Sequence, residues 1–199
     1  MKKVVLVFGV LPLLLVFIGF SVFSLNGLID LDETVKAKWS RVLNQYQRRT
    51  DLIPNLVETV KGYANHEKDT LTAVIEARYK AMQTVVNINN LSDVEAMQKF
   101  MQAQSQVQSS LGRLMAVSEG YPNLKADANF LSLQAELRDT EDKLAAARDV
   151  YIDAISDFNV RVRKIPARWI AALFSEMKPK ANFDIDEKAK ARPVVDFSK

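Results

Sequence analysis

Residues 130–165 read FLSLQAELRDTEDKLAAARDVYIDAISDFNVRVRKI, and this stretch decides the fold. Large apolar residues recur in it at intervals of seven: Phe130, Leu137, Leu144, Tyr151, Phe158 and Ile165. A second seven-residue line, three positions on, consists of Leu133, Thr140, Ala147 and Ala154. Two such lines are typical of a long amphipathic helix that packs against other helices. We therefore expect an all-α fold with long helices.

The segment before this stretch predicts a second long helix. Residues 92–119 carry a wide apolar stripe that is interrupted by Gln104 and Gln108. The tetrapeptide SDVE at 92–95 has the form of a capping box, and GYP at 120–122 supplies the residue types that end one helix and open the next. We predict helices over about 92–119 and 122–165.

Pro54 leaves the N-terminal half open to two interpretations. The seven-residue phase runs across it without a change, through Trp39, Tyr46, Ile53, Val60 and Val74, which allows a kinked continuous helix and a bundle of three very long helices. Because proline removes a backbone hydrogen bond and disfavours α geometry in the preceding residue, we choose a break near 49–51. Separate helices at 28–50 and 54–88 then make four.

Trp39 should distinguish these two interpretations. If the helices are separate and antiparallel, Trp39 lies in the core against the second helix. A continuous helix would place it far from the centre of the bundle, since about 20 residues of helix span about 30 Å.

The N-terminus has the features of a membrane anchor. Residues 4–29 contain no charge and 4–25 are almost wholly apolar, which at about 1.5 Å per residue crosses a hydrocarbon core of about 30 Å. A signal peptide would have a shorter apolar region and a small-residue cleavage site. We predict a transmembrane helix that contacts the membrane through residues 4–25. Lys2 and Lys3 directly flank the apolar run, which favours an extracytoplasmic domain.

Composition argues against several classes of function. The net charge is +3, and no basic run with interleaved aromatic residues is present, so we do not expect nucleic-acid binding. The chain has no cysteine and one histidine, His66, which excludes thiolate metal sites and the paired Glu-x-x-His motifs of di-iron bundles. We expect neither catalysis nor a cofactor, and we interpret His66 as a solvated helix residue.

Charged residues also interrupt the apolar lines. Glu67 and Arg78 fall on lines otherwise held by Val, Leu and Ala, and Arg148 shares a line with Ile155 and Val162. A charge at such a position must be paired or reach the edge of the core. We interpret these residues as interhelical ion pairs that fix register, with a polar binding pocket inside the bundle as the alternative.

The segment RRTDLIPNLVETVKGYA at 48–64, followed by His66 and Glu67, resembles the signature of the LemA family of bacterial membrane proteins. Further similar positions follow in order: Ala77, Arg78, residues 121–126, Leu133, Gln134, Thr140, Glu141, Arg148, Tyr151, Asn159 and Pro166. Ile152 and Ile165 depart from the family pattern. The resemblance implies one N-terminal membrane helix, an antiparallel up-and-down four-helix bundle and no established enzymatic activity.

The predicted organisation has three parts. Residues 1–29 form the anchor and 30–180 the LemA-like bundle. Residues 181–199 form an extended tail that packs through Phe183, Val195 and Phe197. Just before the tail, a short amphipathic turn carries Trp169, Ile170, Leu173 and Phe174.

The function we predict is a scaffold or adaptor for protein interactions at the bacterial envelope. Its partners would be other envelope proteins or further copies of the chain. The alternative is a small-ligand or sensor protein that uses Glu58, Arg78, Glu141, Arg148 and Tyr151. The candidate interaction or register-fixing residues are Arg49, Asp51, Asn55, Glu58, Lys61, His66, Arg78, Glu141, Arg148, Tyr151 and Asn159.

Overall fold

The computed structural model describes residues 11–84, 86–89, 91–174 and 177–181, and this part of the chain is all-helical. The helices are α1 (Leu11–Tyr63), α2 (Lys68–Gln83), α3 (Val94–Ser118), α4 (Pro122–Lys125), α5 (Ala128–Arg163) and α6 (Ala167–Ala171). Lys2, Lys3 and the predicted tail contacts of Phe183, Val195 and Phe197 lie outside the described residues.

Helix α1 runs without a break through Pro54, so the predicted division into helices at 28–50 and 54–88 is wrong. Pro54 has no N–H, and the carbonyl of Thr50, four residues earlier, therefore receives no helical hydrogen bond. Arg78 on α2 supplies a substitute, since its Nε donates to the Thr50 oxygen at 2.9 Å. With that carbonyl satisfied, Ile53 and Val57 remain in the core on either side of the proline.

The chain reverses after Tyr63 rather than before Pro54, in a turn over residues 64–67. His66 is exposed, as predicted, but it lies in this turn and not in a helix. Two hydrogen bonds hold the turn: the Tyr63 hydroxyl donates to Asp127 Oδ2 at 2.9 Å and the Tyr121 hydroxyl to Glu67 Oε1 at 3.1 Å.

The N-terminus of α3 differs slightly from the predicted capping box. Asp93, not Ser92, is the N-cap, because its carboxylate accepts a hydrogen bond from the N–H of Ala96 at 2.9 Å. The Ser92 hydroxyl instead donates to the carbonyl of Lys178 at 3.4 Å.

The predicted helix 122–165 is divided into α4 and α5. Asp127 causes the division, since its carboxylate accepts a hydrogen bond from the N–H of Phe130 at 2.9 Å and so caps a new helix. The seven-residue line of α5 is confirmed, because Phe130, Leu137, Leu144, Tyr151 and Phe158 are all buried. Ile165 lies beyond the end of the helix and is exposed.

Helices α1 and α5 are antiparallel along their whole common length. The contacts that show this register pair Tyr63 with Asp127, Arg49 with Glu141, Tyr46 with Arg148, Trp39 with Tyr151, and Gly27 with Arg161. Helix α3 runs parallel to α1, since Phe100 packs against Trp39 and Gln104 bonds to Arg49.

The buried apolar residues form two cores. The N-proximal core surrounds Trp39 and Tyr151 and extends to Leu28, and the distal core surrounds Val60 and Leu114. Trp39 is fully buried although α1 is continuous. The prediction that a continuous helix would place Trp39 far from the core is therefore wrong. The reason is the length of α5, which packs along α1 as far as Gly27, so that the core extends to this level.

The part of α1 that precedes Ser24 is not covered by other described elements. From Leu13 to Phe23 the large apolar side chains are 49–72% exposed, and the first fully buried residue is Ser24. By length and composition, α1 is the one helix in the described part of the chain that could cross a membrane.

Helix α6 presents an unexpected face. The predicted amphipathic turn assigned its apolar face to Trp169, Ile170, Leu173 and Phe174, but Trp169, Leu173 and Phe174 are exposed. The side chains that are buried are those of Ala167 and Ala171, because only small residues fit where α6 packs closely on α1 and α5.

Candidate functional site: a polar layer between two cores

Arg49 is the centre of a buried group of polar side chains between the two cores. Its side chain is 1% exposed. Nη1 lies 3.1 Å from Glu141 Oε1 on α5, and Nη2 donates to Oε1 of Gln104 at 2.7 Å and to its carbonyl at 3.2 Å on α3. One guanidinium therefore connects three helices at a single level. The fork of donors on arginine suits such multiple contacts better than the point charge of lysine.

Tyr46 lies one turn below Arg49 and completes the connection to α5. The Arg148 guanidinium donates a hydrogen bond to the Tyr46 hydroxyl, and both Arg49 and Arg148 have their guanidinium carbons 5.1 Å from the centre of its ring. Burial raises the pKa of Tyr46, an effect that the positive charge of Arg148 only partly offsets. The phenol stays neutral and acts as a hydrogen-bond acceptor and as a π surface for two cations.

Thr50 and Arg78 extend this group to α2. Thr50 is buried, and its hydroxyl donates to the carbonyl of Gln47 at 2.8 Å while its own carbonyl accepts from Arg78. We refer to Tyr46, Arg49, Thr50, Arg78, Gln104, Glu141 and Arg148 as the polar layer. Its contacts join side chains or carbonyls of α1, α2, α3 and α5.

A second group of buried charges lies nearer the N-terminus. Lys180 Nζ is 2.7 Å from Asp32 Oδ1 and 5.1 Å from the centre of the Phe158 ring, and Lys36 is 2.8 Å from Asp32 Oδ2. Asn159 holds the backbone of Lys180 through two hydrogen bonds of 2.8 and 3.1 Å. Burial raises the pKa of Asp32, but Lys180 and Lys36 together outweigh burial and hold it below its usual value.

The candidate residues fall into two sets. Arg49, Arg78, Glu141, Arg148, Tyr151 and Asn159 are buried or half-buried between helices, whereas Asp51, Asn55, Glu58, Lys61 and His66 are exposed. The five residues proposed for a ligand pocket are not brought together, because Glu58 points to solvent and pairs with Lys61 at 3.6 Å. It lies about 13 Å along α1 from Arg49, at about 1.5 Å per residue. An open depression of about 540 Å³ between the end of α2 and the start of α3 is lined by other residues.

Several members of these groups were not predicted. Gln104 had a signal, since it interrupts an apolar line of α3. Tyr46 was predicted only as an apolar core residue. Its ring is in the core, but its hydroxyl accepts a hydrogen bond from Arg148 and belongs to the polar layer. Asp32 and Lys180 had no signal, because they are far apart in a sequence that shows no periodicity around Lys180.

Comparison with known proteins places these features in a family. The LemA family model matches residues 38–197, which include the whole polar layer. Magnetosome protein MamQ 2 of Paramagnetospirillum magneticum is 27% identical over 171 residues, or 78% of this chain and 63% of the relative. MamQ of Magnetospirillum gryphiswaldense is 26% identical over 176 residues, or 80% of this chain and 65% of the relative. Protein LemA of Metamycoplasma hominis is 27% identical over 116 residues, or 58% of this chain and 49% of the relative.

The chain spans less than two thirds of the length of these relatives. The family match covers most of the chain and begins just before Trp39, so the two cores and the polar layer lie within it almost entirely. This chain belongs to the LemA family.

Proposed function

We propose that this protein is a membrane-anchored scaffold of the bacterial envelope, in which α1 is the anchor and the helical domain presents a binding surface to another envelope protein. In this proposal α1, α2, α3 and α5 form an up-and-down four-helix bundle whose register is fixed by the polar layer. A domain with one fixed alignment of helices keeps its outer surface preorganised, which lowers the entropic cost of binding.

The observation that carries the proposal is the outer face of α2. Ile75, Tyr79 and Met82 follow one another at helical spacing and are each more than half exposed, while the opposite face of α2 is buried in the distal core. Rows of large exposed apolar side chains on a helix are typical of surfaces that bind another protein. Aromatic and methionine side chains are also enriched at protein interfaces.

Polar residues of α1 would form the rim of this surface. Helix α2 packs against α1, and the exposed candidates Asp51, Asn55, Glu58 and Lys61 lie on the α1 segment that contains Pro54. An apolar centre with a polar, solvated border is the usual composition of a protein interface.

Site-specific photocrosslinking in the native membrane tests the proposal. With p-benzoylphenylalanine at Tyr79, we expect a discrete crosslinked product that is absent when the same group replaces the exposed Glu136 on α5. Peptide mass spectrometry of the product identifies the partner, and a product of twice the mass that contains peptides of this chain alone would assign the surface to a second copy. The same group is placed at Ile75 and at Met82 in separate variants. The absence of a crosslinked product from all three positions would refute the proposed surface.

Cysteine labelling tests the orientation, which we propose to be extracytoplasmic. The chain contains no cysteine, so Ser132→Cys creates a single exposed thiol on α5. We expect a membrane-impermeant maleimide to label this thiol in intact cells or, where an outer membrane is present, in spheroplasts. Labelling only after lysis would place the domain in the cytoplasm.

A further inference from the structure

Helix α6 lies at the level where α1 leaves its exposed apolar segment. Ala167 and Ala171 are buried in the N-proximal core that begins at Leu28, and α6 packs directly on α1. At the end of α5, a Cβ placed on Gly27 would lie 3.8 Å from Arg161 Nη2. The end of α5, from which the chain continues into α6, therefore lies at the level of Gly27, about 6 Å along α1 from Phe23, where the exposed apolar run of α1 ends.

The outward side of this element is strongly apolar. Ile165, Trp169, Leu173 and Phe174 are 65%, 59%, 81% and 45% exposed. Four large apolar side chains within ten residues are unusual on a surface that faces water alone. Tryptophan in particular is enriched at the boundary between lipid headgroups and acyl chains.

The sequence from residue 158 to residue 175, which includes α6, carries charge of one sign. Between residues 158 and 175 there are four basic residues, Arg161, Arg163, Lys164 and Arg168, and no acidic residue. On the adjacent part of α1, Asp32 and Glu33 are each paired with Lys36 at 2.8 Å. Arg163, Lys164 and Arg168 are exposed, and exposed basic side chains beside a membrane attract anionic lipid headgroups.

We infer that residues 165–174, which include α6, are a second membrane contact of this chain. Ile165, Trp169, Leu173 and Phe174 enter the headgroup region of the same bilayer that α1 crosses, and Lys164 and Arg168 bind anionic headgroups. The inference rests on the membrane span proposed for α1. A single helix leaves a domain free to tilt and swivel, whereas a second contact beside it holds the domain in one orientation on the surface.

Lipid quenching of single-site fluorophores in the full-length protein tests the inference. Since the chain contains no cysteine, Phe17→Cys, Leu173→Cys and Ser132→Cys each accept one nitrobenzoxadiazole label. Phe17 lies in the proposed span of α1, Leu173 lies just after α6, and Ser132 is exposed on α5. The protein is reconstituted in phosphatidylcholine vesicles with about 30% phosphatidylglycerol, an anionic lipid. Nitroxide lipids that carry the quencher either near the headgroup or deep in the chain are then added.

We expect the Leu173 label to shift its emission to the blue and to lose fluorescence mainly to the shallow quencher. The Phe17 label should lose fluorescence to the deep quencher, and the Ser132 label to neither. Lys164→Gln with Arg168→Gln should reduce the loss at Leu173, and so should omission of phosphatidylglycerol.

The reporters separate the possible failures. Quenching at Phe17 without quenching at Leu173 would overturn the second contact and leave the anchor intact. No quenching at either position would overturn the span and the second contact together. Equal quenching at Leu173 and Ser132 would also overturn the inference, because the contact would then not be confined to α6. Trp169→Ala should lower the Leu173 signal without changing the helical circular dichroism, since Trp169 is exposed.

Discussion

The N-proximal and distal cores are built from different kinds of side chains. Of the six buried aromatic residues in the described part of the chain, five are in the N-proximal core: Trp39, Tyr46, Phe100, Tyr151 and Phe158. The distal core contains Phe130 and is otherwise built from aliphatic residues such as Ile53, Leu56, Val74 and Leu114. The buried charges Asp32, Arg49 and Lys180 all lie within the N-proximal core or at its border with the distal core.

The difference follows from which segments meet in each core. Helix α2 ends at Gln83, so the N-proximal core is closed by irregular segments that contribute Val86, Leu91 and Met177. Large rings fill the wider space that such segments leave, and they provide π surfaces over which cations can be buried. The distal core is enclosed by regular helices and needs only aliphatic packing. In this protein the aromatic core is the one that irregular segments help to close.

The largest effect should come from the aromatic core itself. Trp39→Ala removes a fully buried ring that contacts Phe100 and Tyr151, and we expect a loss of about 3–5 kcal/mol in the free energy of unfolding. Chemical denaturation of the full-length protein in detergent micelles measures this value. Tyr79→Ala, at an exposed aromatic residue outside the proposed membrane contact, is the control and should change stability by less than about 0.5 kcal/mol. Equal losses would mean that the N-proximal core is not packed as described.

The polar layer should show the next largest effect. Arg49→Met leaves the buried Gln104 amide without its partner, and we expect a loss of about 2–4 kcal/mol, moderated because Glu141 is partly exposed and can be hydrated. Arg48→Met is the matched control: Arg48 is half exposed and 4.0 Å from Asp139, so its loss should stay below about 1 kcal/mol. A neutral Arg49→Met would show that the layer does not stabilise the border between the cores.

The Asp32 pair should make the N-proximal core sensitive to acid. Because the pKa of Asp32 is lowered in the folded state, its contribution is present above the unfolded value of about 3.9 and is lost as the pH falls through the folded value. We expect Asp32→Asn to cost about 1–3 kcal/mol at pH 7, since the buried ion pair between Asp32 and Lys180 is lost. The difference from the unmodified protein should shrink as the pH falls below about 4.

Asp30→Asn provides the control for this titration, because Asp30 is exposed. It should leave the pH dependence of unfolding unchanged, and its effect on stability should be within about 0.5 kcal/mol. A constant difference between Asp32→Asn and the unmodified protein down to pH 3 would contradict the assignment.

The smallest effect concerns Pro54 and is best measured as a coupling. Arg78→Met removes the donor to the Thr50 carbonyl and should cost about 1–2 kcal/mol. Pro54→Ala introduces a backbone N–H that can bond to the same carbonyl, so Arg78→Met should cost about 1 kcal/mol less in that background. Additive effects of the two substitutions on the free energy of unfolding would disprove that Arg78 replaces the hydrogen bond that Pro54 cannot make.

Local patterns in the sequence predicted the helical elements well. The seven-residue line of α5 and the burial of Phe130 to Phe158 follow from repeats within one segment. The break at Pro54 was predicted wrongly because the side chain that satisfies the Thr50 carbonyl, Arg78, is 24 positions from the proline. No local pattern connects the two residues. The burial of Trp39 depends on how far α5 accompanies α1, which is also a long-range property.

The candidate site was predicted in part for the same reason. Arg78 and Arg148 were recognised because a charge at an apolar position must find a partner, yet the partners themselves come from other helices. Hydrogen bonds between Asn159 and Lys180 join α5 to a segment without periodicity, so Lys180 could not be predicted to be buried.

The continuity of α1 has a mechanical consequence. Its 53 residues form one rod of about 80 Å, at about 1.5 Å per residue, from the apolar segment to the turn at His66. The rod has no joint at Pro54, because Arg78 bridges the gap in its hydrogen bonds. The directions in which Asp51, Asn55 and Glu58 face are therefore fixed relative to the apolar segment of the same rod.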